Sequence, residues 1–382
     1  MMRRFLIVST LICALYALKE RPSIGIIRWD AWNQVDGQYD EISFFEHRAM
    51  SPLAHHYKLP FYATELSPTN VSYNADSQSI MDSEILFGRQ AGIDYWAFDT
   101  YCKFGPNCTT NSDKCKYYYE TTSNRYCPRN PEYSLDLYFN SKYQHLINFT
   151  LILLGSVPCD ENAMLHNIAL MKRPGFQTVL GGRPLLYLFQ FSNGEAVNCG
   201  GSWEGSRSIF DKFRNMAKQE GLQNPYMVLM DFDPATVKRN AEALGFDAIS
   251  TYALPGGTPQ GVDFVEQVRR ASNWWDTAEK MNAKVVPLAP TGWDPRPRFE
   301  SKVPYVEEGP EHYKQATVEE IQGLVKSAIQ WSCAHKAAAE AQTVIIYAWN
   351  EVSENGGCLI PNIGNGTAYV DGLSKVLPMY CP

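Results

Sequence analysis

Short apolar runs recur along this chain, and each is followed by a polar loop and then by a segment with helical periodicity. The runs are rich in β-branched and aromatic residues, which is typical of parallel strands buried on both faces of a sheet. Eight runs can be marked, at residues 24–29, 95–99, 149–154, 184–189, 226–230, 246–252, 284–288 and 343–349. We predict that these runs are eight parallel strands.

Helical periodicity fills most of the connections between the runs. The predicted helices span residues 77–91, 160–170, 208–220, 234–244, 262–282 and 318–341. Gly92, Gly221 and Gly245 stand just ahead of the next strand, where a helix commonly ends with a left-handed residue. Alternation repeated eight times predicts an α/β protein, a single (β/α)8 TIM barrel over residues 21–382. An open doubly wound sheet is the alternative, although no GxGxxG motif follows any strand.

The N-terminus has the pattern of a cleavable signal peptide. Basic residues at positions 3 and 4 precede an apolar run at 5–18, and Lys19 to Pro22 end that run abruptly. We therefore predict a signal peptide at residues 1–20 and a protein that is secreted or lies in the lumen of the secretory pathway. A buried N-terminal helix is the alternative. No later run is long enough to span a membrane, so we expect no membrane association after cleavage.

Cysteine usage agrees with export. Without Cys13 of the signal peptide nine cysteines remain, an odd number, so at least one thiol is free or pairs between chains. Four of them crowd into a polar stretch and predict a disulfide-rich loop after the second strand: Cys102, Cys108, Cys115 and Cys127. A zinc site would need closer Cys or Cys–His spacing, so disulfides are favoured.

Glycosylation motifs, net charge and aromatic content restrict the kinds of partner that the protein is expected to bind. Four Asn-x-Ser/Thr sequons, at Asn70, Asn107, Asn148 and Asn365, predict a glycoprotein. The net charge of −7 comes without a basic stripe, which argues against a nucleic-acid partner. Nine Trp and 22 Tyr fit a carbohydrate-binding surface, although ordinary packing accounts for most of them.

A (β/α)8 barrel carries its active site at the carboxyl ends of the strands, and here those ends are acidic and aromatic. They contain no Ser–His or Cys–His pair, and carboxylates with aromatic rings suit sugar chemistry. The candidate substrate-binding residues are Asp30, Trp32, Asp99, Tyr101, Gln190, Asp231, Tyr252, Trp293, Asp294, Trp349 and Asn350. The aspartates could instead cap loops, as Asp233 is expected to cap its helix. His55 and His56 have no evident third ligand, so we predict no metal site.

Glu351 and Glu354, which follow the eighth run, are the predicted catalytic pair. If the turn after the strand is helical, positions i and i+3 lie on one face with their Cβ atoms roughly 5–6 Å apart. One pKa should then be raised, which leaves an acid beside a base. Such closeness favours retention over inversion, which needs roughly 6.5–9.5 Å between the carboxyl groups. The alternative is that Glu351 caps the turn and Glu354 is solvated.

The stretch IYAWNEVSENGGCLIP at residues 346–361 resembles the signature of the WbsX-like family, related to glycoside hydrolase family ninety-nine. IGIIRWDAWN, AGIDYWAFDTY and APTGWDPRPR follow the same order as in that family, so the resemblance covers nearly the whole mature chain. It implies a (β/α)8 endo-acting α-mannosidase. It further implies that Glu351 assists attack by the 2-hydroxyl of the substrate and that Glu354 is the general acid/base, with net retention.

Three positions depart from the family pattern. Val352 stands where the family has a second Trp, Asn355 is inserted before the glycine pair, and Ile360 replaces a Glu of the mannosidases. The resemblance therefore supports glycosidic bond hydrolysis more than it supports a mannoside substrate. A catalytically silent carbohydrate-binding protein and a glycosyltransferase are the alternatives, and no nucleotide-sugar motif supports the latter. The expected partner is a polysaccharide or N-glycan. No cofactor is expected, so EDTA should leave activity unchanged.

Overall fold

Eight parallel strands form a nearly closed barrel in the computed structural model, which describes residues 21–33, 39, 41–100, 130–304 and 309–381. In chain order the barrel strands are β1 Ser23–Arg28, β2 Tyr95–Thr100, β3 Asn148–Leu154, β4 Arg183–Phe189, β5 Tyr226–Met230, β6 Ala248–Ser250, β7 Leu288–Pro290 and β8 Thr343–Tyr347. The predicted signal peptide, Tyr101 and the predicted four-cysteine loop lie outside the described residues.

The strand order confirms the predicted barrel. Neighbouring strands run β7-β8-β1-β2-β3-β4-β5-β6, each pair parallel. Between β6 and β7, Ile249 forms a parallel bridge with Val285, and Ser250 Oγ donates to the carbonyl of Val286 at 2.7 Å. These bonds bring the two ends of the sheet together, so the open doubly wound alternative is wrong.

The helices lie between the strands, as predicted. They are α1 Glu41–Met50, α2 Gln78–Ala91, α3 Asn130–Asn140, α4 Glu161–Met171, α5 Asn193–Gly200, α6 Trp203–Gln219, α7 Pro234–Leu244, α8 Val265–Lys280, α9 Arg296–Ser301, α10 Val318–Ala334 and α11 Ala368–Val376. Asp233 caps α7 by accepting from the backbone N–H of Thr236, as expected. Gly92 and Gly245 end α2 and α7 at φ 88° and 68°, in the left-handed region where glycine meets no steric penalty.

Several boundaries differ from the prediction, and two of the differences have an identifiable physical reason. The seventh strand begins at Leu288 rather than at residue 284, because Pro287 has no N–H for the ladder. Helix α10 ends at Ala334 although the alanine-rich sequence after it favours helix. There the carbonyl of Ala338 accepts from Val285 N at 2.8 Å, so a tertiary hydrogen bond overrides the local preference.

Tightly packed side chains close the amino end of the barrel. The Tyr95 hydroxyl lies 2.8 Å from both the Tyr187 hydroxyl and Thr343 Oγ1, which links β2, β4 and β8. Its ring fills the space over Gly25, where an added Cβ would lie 2.1 Å from a ring carbon. The amino end of the barrel is therefore closely packed, and the opposite, carboxyl end carries the candidate site.

Among the described cysteines, two disulfides form, Cys159–Cys199 and Cys333–Cys381, and Cys358 is free and buried. These bonds confirm disulfide bonding. Over the described ranges, none of the helices combines the length and the apolar character that crossing a membrane requires.

Candidate active site

Glu351 and Glu354 lie side by side just beyond β8. The carbonyl of Glu351 accepts from the N–H groups of Glu354 at 3.2 Å and Asn355 at 2.9 Å, which forms a single turn. This turn brings both carboxyl groups within hydrogen-bond distance of one hydroxyl, that of Tyr347. Their residues are only 3% and 6% exposed, so Glu354 is not solvated.

Asn355, the position that the resemblance marks as an insertion, is built into this turn. Its amide donates to the carbonyl of Tyr347 at 3.0 Å and to Thr291 Oγ1 at 3.1 Å. Its Oδ1 accepts from the N–H of Gly357 at 2.7 Å. The inserted residue therefore ties the loops after β7 and β8 together and supports the carboxyl pair.

Two phenols connect the pair to a third carboxyl group. The hydroxyl oxygen of Tyr347 lies 3.2 Å from Glu351 Oε2 and also within hydrogen-bond distance of Glu354 Oε1. The hydroxyl oxygen of Tyr252 lies 2.5 Å from Asp99 Oδ2 and within hydrogen-bond distance of Glu351 Oε1. The ends of β2, β6 and β8 thus contribute to one connected row of acidic groups, which we call the carboxyl row: Asp99, Glu351 and Glu354.

Arg298 of α9 provides positive charge at one end of the carboxyl row. Its guanidinium forms an ion pair with Glu354, and its Nε lies 2.9 Å from Ser353 Oγ and 3.0 Å from Glu46 Oε1. The guanidinium also lies 4.9 Å from the ring centre of Trp29, a cation–π distance. All of these side chains are buried, so little solvent screens the charges.

Burial and neighbouring negative charge raise the pKa values of Glu351 and Tyr347. Burial raises the pKa of Glu351 well above its usual value, and Glu354 raises it further by charge and hydrogen bonding. Burial likewise raises the pKa of the Tyr347 hydroxyl, and the charges of the two glutamates add to this effect. Glu351 therefore keeps its proton to a higher pH than an exposed glutamate does.

Asp294, another predicted site residue, lies in a separate ion cluster beside the pair. Lys58 Nζ lies 2.7 Å from one of its oxygens, and Arg296 Nε lies 2.6 Å from the other. Burial alone would raise the pKa of Asp294, but the two cations hold it below its usual range. The backbone N–H of Asp294 donates to the carbonyl of Glu354 at 2.6 Å, so this cluster fixes the neighbouring loop.

Asp30, Trp349 and Asn350 are engaged in a buried network beneath the strand ends. The Asn350 amide donates to Asp30 at 2.9 Å, and Arg28 bonds both Asp30 and Glu84. The indole N–H of Trp349 donates to Glu84 at 2.9 Å. These contacts fasten β8 to β1 and α2, and they position the turn that carries the glutamate pair.

The other predicted residues are more scattered. Gln190 is exposed after β4, while Trp32 is buried with its ring 5.6 Å from that of Tyr73. Trp293 is buried, and its carbonyl accepts from the N–H of Tyr313 at 2.9 Å. None of these contacts brings the three residues to the carboxyl row.

His55 and His56 bond different partners. The first meets Glu300 at 2.7 Å and the second meets Glu65 at 2.8 Å. No group of three His, Cys, Asp or Glu side chains in the described part of the chain could hold a metal ion. The arrangement can instead move protons, because carboxyl and phenol groups are its reactive groups.

An exposed aromatic ring at the end of β5 was missed in the sequence. Phe232 is 39% exposed and packs edge-on against Phe189 at 5.8 Å, and Phe189 stacks on Tyr252 at 4.2 Å. The Phe232 backbone is held on both sides, since its N–H donates to Asp231 at 2.7 Å and its carbonyl accepts from Trp274 at 2.9 Å. A fixed backbone therefore presents an apolar face near the carboxyl row.

Tyr347, Arg298 and Glu46 were also missed. Tyr347 lies within the eighth apolar run, where an aromatic residue is typical of a buried strand and gives no sign of a role in a site. Arg298 ends the motif APTGWDPRPR, which could have flagged it. Glu46 comes from α1, and no local sequence signal associates it with the ends of the strands.

Comparison with known proteins shows that the fold of this chain is similar to that of several solved structures. No protein-family model matches the sequence, and no curated protein matches it either. Two solved structures of the GH99 endo-α-mannosidase from Bacteroides thetaiotaomicron each align over 93% of this chain and 96% of theirs, at 13% and 11% identity. A structure described as a glycoside hydrolase-like protein aligns over 94% of both chains at 11% identity. All three have a TM-score of 0.56, so this chain shares its (β/α)8 fold with glycoside hydrolases over nearly its whole described length.

Proposed function

We propose that this protein is a secreted glycoside hydrolase that cleaves glycosidic bonds with retention, using Glu351 and Glu354. One observation carries the proposal. Two buried carboxyl groups share the hydroxyl of Tyr347 at the carboxyl end of the barrel, and a buried cation pairs with one of them. Active sites of (β/α)8 enzymes lie at this end, and most glycoside hydrolases use a carboxyl pair.

The chemistry follows from the different surroundings of the two groups. A glycosidic oxygen leaves as an alcohol only if it receives a proton, and the positive charge that develops on the sugar needs a nearby carboxylate. Neighbouring carboxyl groups do not ionise independently, so one member of such a pair can stay protonated while the other is ionised, and the pair can supply both functions near neutral pH. Their closeness supports retention, because an inverting pair leaves space for a water between its carboxyl groups.

The surroundings support a carbohydrate substrate. The exposed ring of Phe232 offers an apolar face of the kind on which sugar rings stack, and Asp231 lies beside it, half-buried. The related solved structures include an endo-α-mannosidase, which supports a glycan with internal linkages as the substrate. Disulfides persist mainly in oxidising compartments, so the two disulfides support export of the protein.

A digestion panel tests the proposal. The mature protein would be incubated with polysaccharides and glycoprotein glycans, and the products would be identified by mass spectrometry. We expect cleavage of at least one glycan, and a loss of roughly 10²–10⁴-fold in turnover for both Glu351→Gln and Glu354→Gln. Glu311→Gln, at an exposed carboxyl group, is the matched control and should keep full turnover.

Two outcomes would contradict the proposal. Full turnover in either glutamate variant would remove the carboxyl pair from the mechanism. Binding of glycans without cleavage of any bound glycan would instead identify a catalytically silent carbohydrate-binding protein. Circular dichroism of each variant separates a loss of chemistry from a loss of fold.

A further inference from the structure

We propose that Asn70 carries an N-linked glycan in the exported protein and that two of the other sequons, at Asn148 and Asn365, carry none. The motifs are alike in sequence, but their surroundings in the folded protein differ. The fourth motif, at Asn107, lies outside the described residues. Such a glycan requires the export that belongs to the proposed function, but it does not require catalysis.

Asn70 lies on an exposed antiparallel hairpin outside the barrel, formed by the strands Thr64–Ser67 and Asn70–Ser72. Side chains along a strand point alternately to its two faces. Asn70 and Ser72 are exposed, whereas Val71 between them is only 1% exposed. The asparagine amide and the hydroxyl two positions later, which together define a glycosylation motif, therefore lie on the same open face of the hairpin.

Other residues fasten the hairpin to the rest of the protein. The backbone N–H of Leu53 donates to the carbonyl of Pro68 at 2.9 Å. His56 Nδ1 lies 2.8 Å from Glu65 Oε1, and Val71 packs in the core. None of these contacts uses the side chain of Asn70, so a bulky sugar can be attached there without breaking them.

Asn148 has the opposite surroundings. It is the first residue of β3, which pairs with strands on both sides, and its Nδ2 donates to Gln177 Oε1 at 3.0 Å. Thr150, the hydroxyl residue of this motif, is fully buried, and its hydroxyl donates to the carbonyl of Leu185 on β4. A glycan on Asn148 would break the bond to Gln177 and place a bulky polar group against the barrel. The folded protein should therefore carry none at this position.

Asn365 is enclosed in the turn before α11. Its Nδ2, the atom to which a glycan would be attached, is buried. Its backbone N–H donates to Asn362 Oδ1 at 2.8 Å, and the hydroxyl of Thr367 donates to Asp371 Oδ2 at 2.7 Å. A sugar on a buried nitrogen would displace the atoms packed around it, so a chain modified there could not adopt this turn.

A glycan at Asn70 would shield an otherwise open sheet edge. In the described part of the chain the two hairpin strands pair only with each other, and Leu66 is 58% exposed. Unpaired strand edges beside an exposed apolar side chain favour pairing with another chain. Asn70 lies opposite Ser67 in the hairpin, so a glycan there would hinder the approach of a second chain.

Site-specific mapping tests the assignment. The protein would be secreted from a eukaryotic cell line, and its N-glycans would be released by an amidase in heavy-oxygen water, which converts each glycosylated asparagine to a labelled aspartate. Mass spectrometry of the peptides then identifies the labelled positions. We expect the label at Asn70 and no label at Asn148 or Asn365. A label at either of these two, or secreted protein without a label at Asn70, would overturn the assignment.

Variants of the hairpin sharpen this test. Ser72→Ala removes the hydroxyl of the motif and should abolish the label at Asn70, whereas Ser72→Thr should keep it. Thr69→Ala changes an exposed neighbour outside the motif, so it is the matched control and should also keep the label. A label that persists in Ser72→Ala would refute N-linked modification at this motif. Circular dichroism confirms that each variant is folded.

Mapping needs no substrate, so its result stands even if the protein cleaves no glycan. Glycan cleavage by a protein without a label at Asn70 would overturn this assignment alone, and an unglycosylated chain held in the cytosol would contradict export as well. Light scattering of the secreted proteins tests the shielding role. We expect a higher average mass for Asn70→Gln than for Thr69→Ala, and equal masses would refute shielding while the glycan site stands.

Discussion

At the residue scale, the burial of Glu351 couples folding to pH. Burial and then Glu354 raise the pKa of its carboxyl group in the folded protein, so the folded state binds this proton more tightly than the unfolded chain does. The resulting stability is fully present below the unfolded pKa of about 4.3 and is lost as the pH rises toward the folded pKa. The loss proceeds at about 1.4 kcal/mol per pH unit while only the folded state holds the proton.

We therefore expect the free energy of unfolding to fall less steeply in Glu351→Gln than in wild type from about pH 5 upward. Urea unfolding at a series of pH values, followed by circular dichroism, measures this difference. Glu311→Gln removes an exposed carboxyl group and serves as the control, with a pH dependence close to that of wild type. Parallel curves for Glu351→Gln and wild type would show that this residue binds no extra proton on folding.

Phe232 is a second residue whose surroundings predict a measurable effect. Asp231 and Trp274 hydrogen-bond the backbone of Phe232 and hold it in place. Little conformational entropy of this backbone is therefore lost when a sugar stacks on the exposed ring. We expect Phe232→Ala to raise KM by about 2- to 13-fold, as loss of roughly 0.5–1.5 kcal/mol of ring contact implies, with kcat nearly unchanged. Phe232→Trp should restore KM.

Phe44→Ala is the control for this prediction, because Phe44 is an exposed aromatic on α1 and belongs to a different ring contact. Steady-state kinetics on the glycan cleaved by wild type measures all three variants. An unchanged KM in Phe232→Ala, or an equal rise in Phe44→Ala, would remove the ring from the binding site.

At the element scale, the contact between β1 and β2 leaves no room for a side chain at Gly25. An added methyl group would lie 2.1 Å from the ring of Tyr95, and hydrogen bonds to Tyr187 and Thr343 hold that ring in place. We expect Gly25→Ala to lower the free energy of unfolding by at least about 3 kcal/mol, because a fixed neighbour cannot relieve the overlap. Urea unfolding at constant pH gives the value.

Gly323→Ala is the matched control for Gly25→Ala. Gly323 is exposed in α10, and an added methyl group there meets no atom within 4 Å. Alanine should therefore raise the stability by roughly 0.5–1 kcal/mol through helix propensity. A loss in Gly25→Ala no larger than 1 kcal/mol would mean that the strands can move apart.

Most elements could be predicted from the sequence because burial on both faces leaves a strong local pattern. The apolar runs at β3, β5 and β8 stand out for this reason, and the glycines after α2 and α7 mark where helices end. The end of α10, in contrast, depends on a contact between distant segments. The carbonyl of Ala338 bonds Val285, and no local pattern in an alanine-rich stretch encodes that bond.

At the scale of the whole molecule, the candidate site also combines residues that the sequence pattern predicts with residues that only the packing of distant segments brings together. The barrel topology brings the ends of all strands together, so Asp99, Tyr252 and the glutamate pair could be inferred to share one surface. Arg298 and Glu46 reach that surface from α9 and α1, which lie outside the strands. Their contribution depends on how these helices pack, and a single sequence carries no periodic signal for this packing.

The two disulfides also act at the scale of the whole molecule, since each closes a long loop around the barrel. Cys333 at the end of α10 bonds Cys381 after α11, across 48 residues, and the Cys159–Cys199 bond spans 40. A crosslink stabilises the folded state mainly by restricting the unfolded chain, and the effect depends only logarithmically on loop length. The two bonds should therefore contribute nearly equally.

We expect the double variant Cys333→Ser/Cys381→Ser to lose about 4 kcal/mol of unfolding free energy, and the double variant of Cys159 and Cys199 to lose nearly as much. Urea unfolding of oxidised protein gives both values. Each double variant should also lose less stability on reduction than wild type, because one crosslink is already absent. If one double variant lost much more unfolding free energy than the other, local packing around that disulfide would set its contribution, rather than the entropy of the unfolded chain.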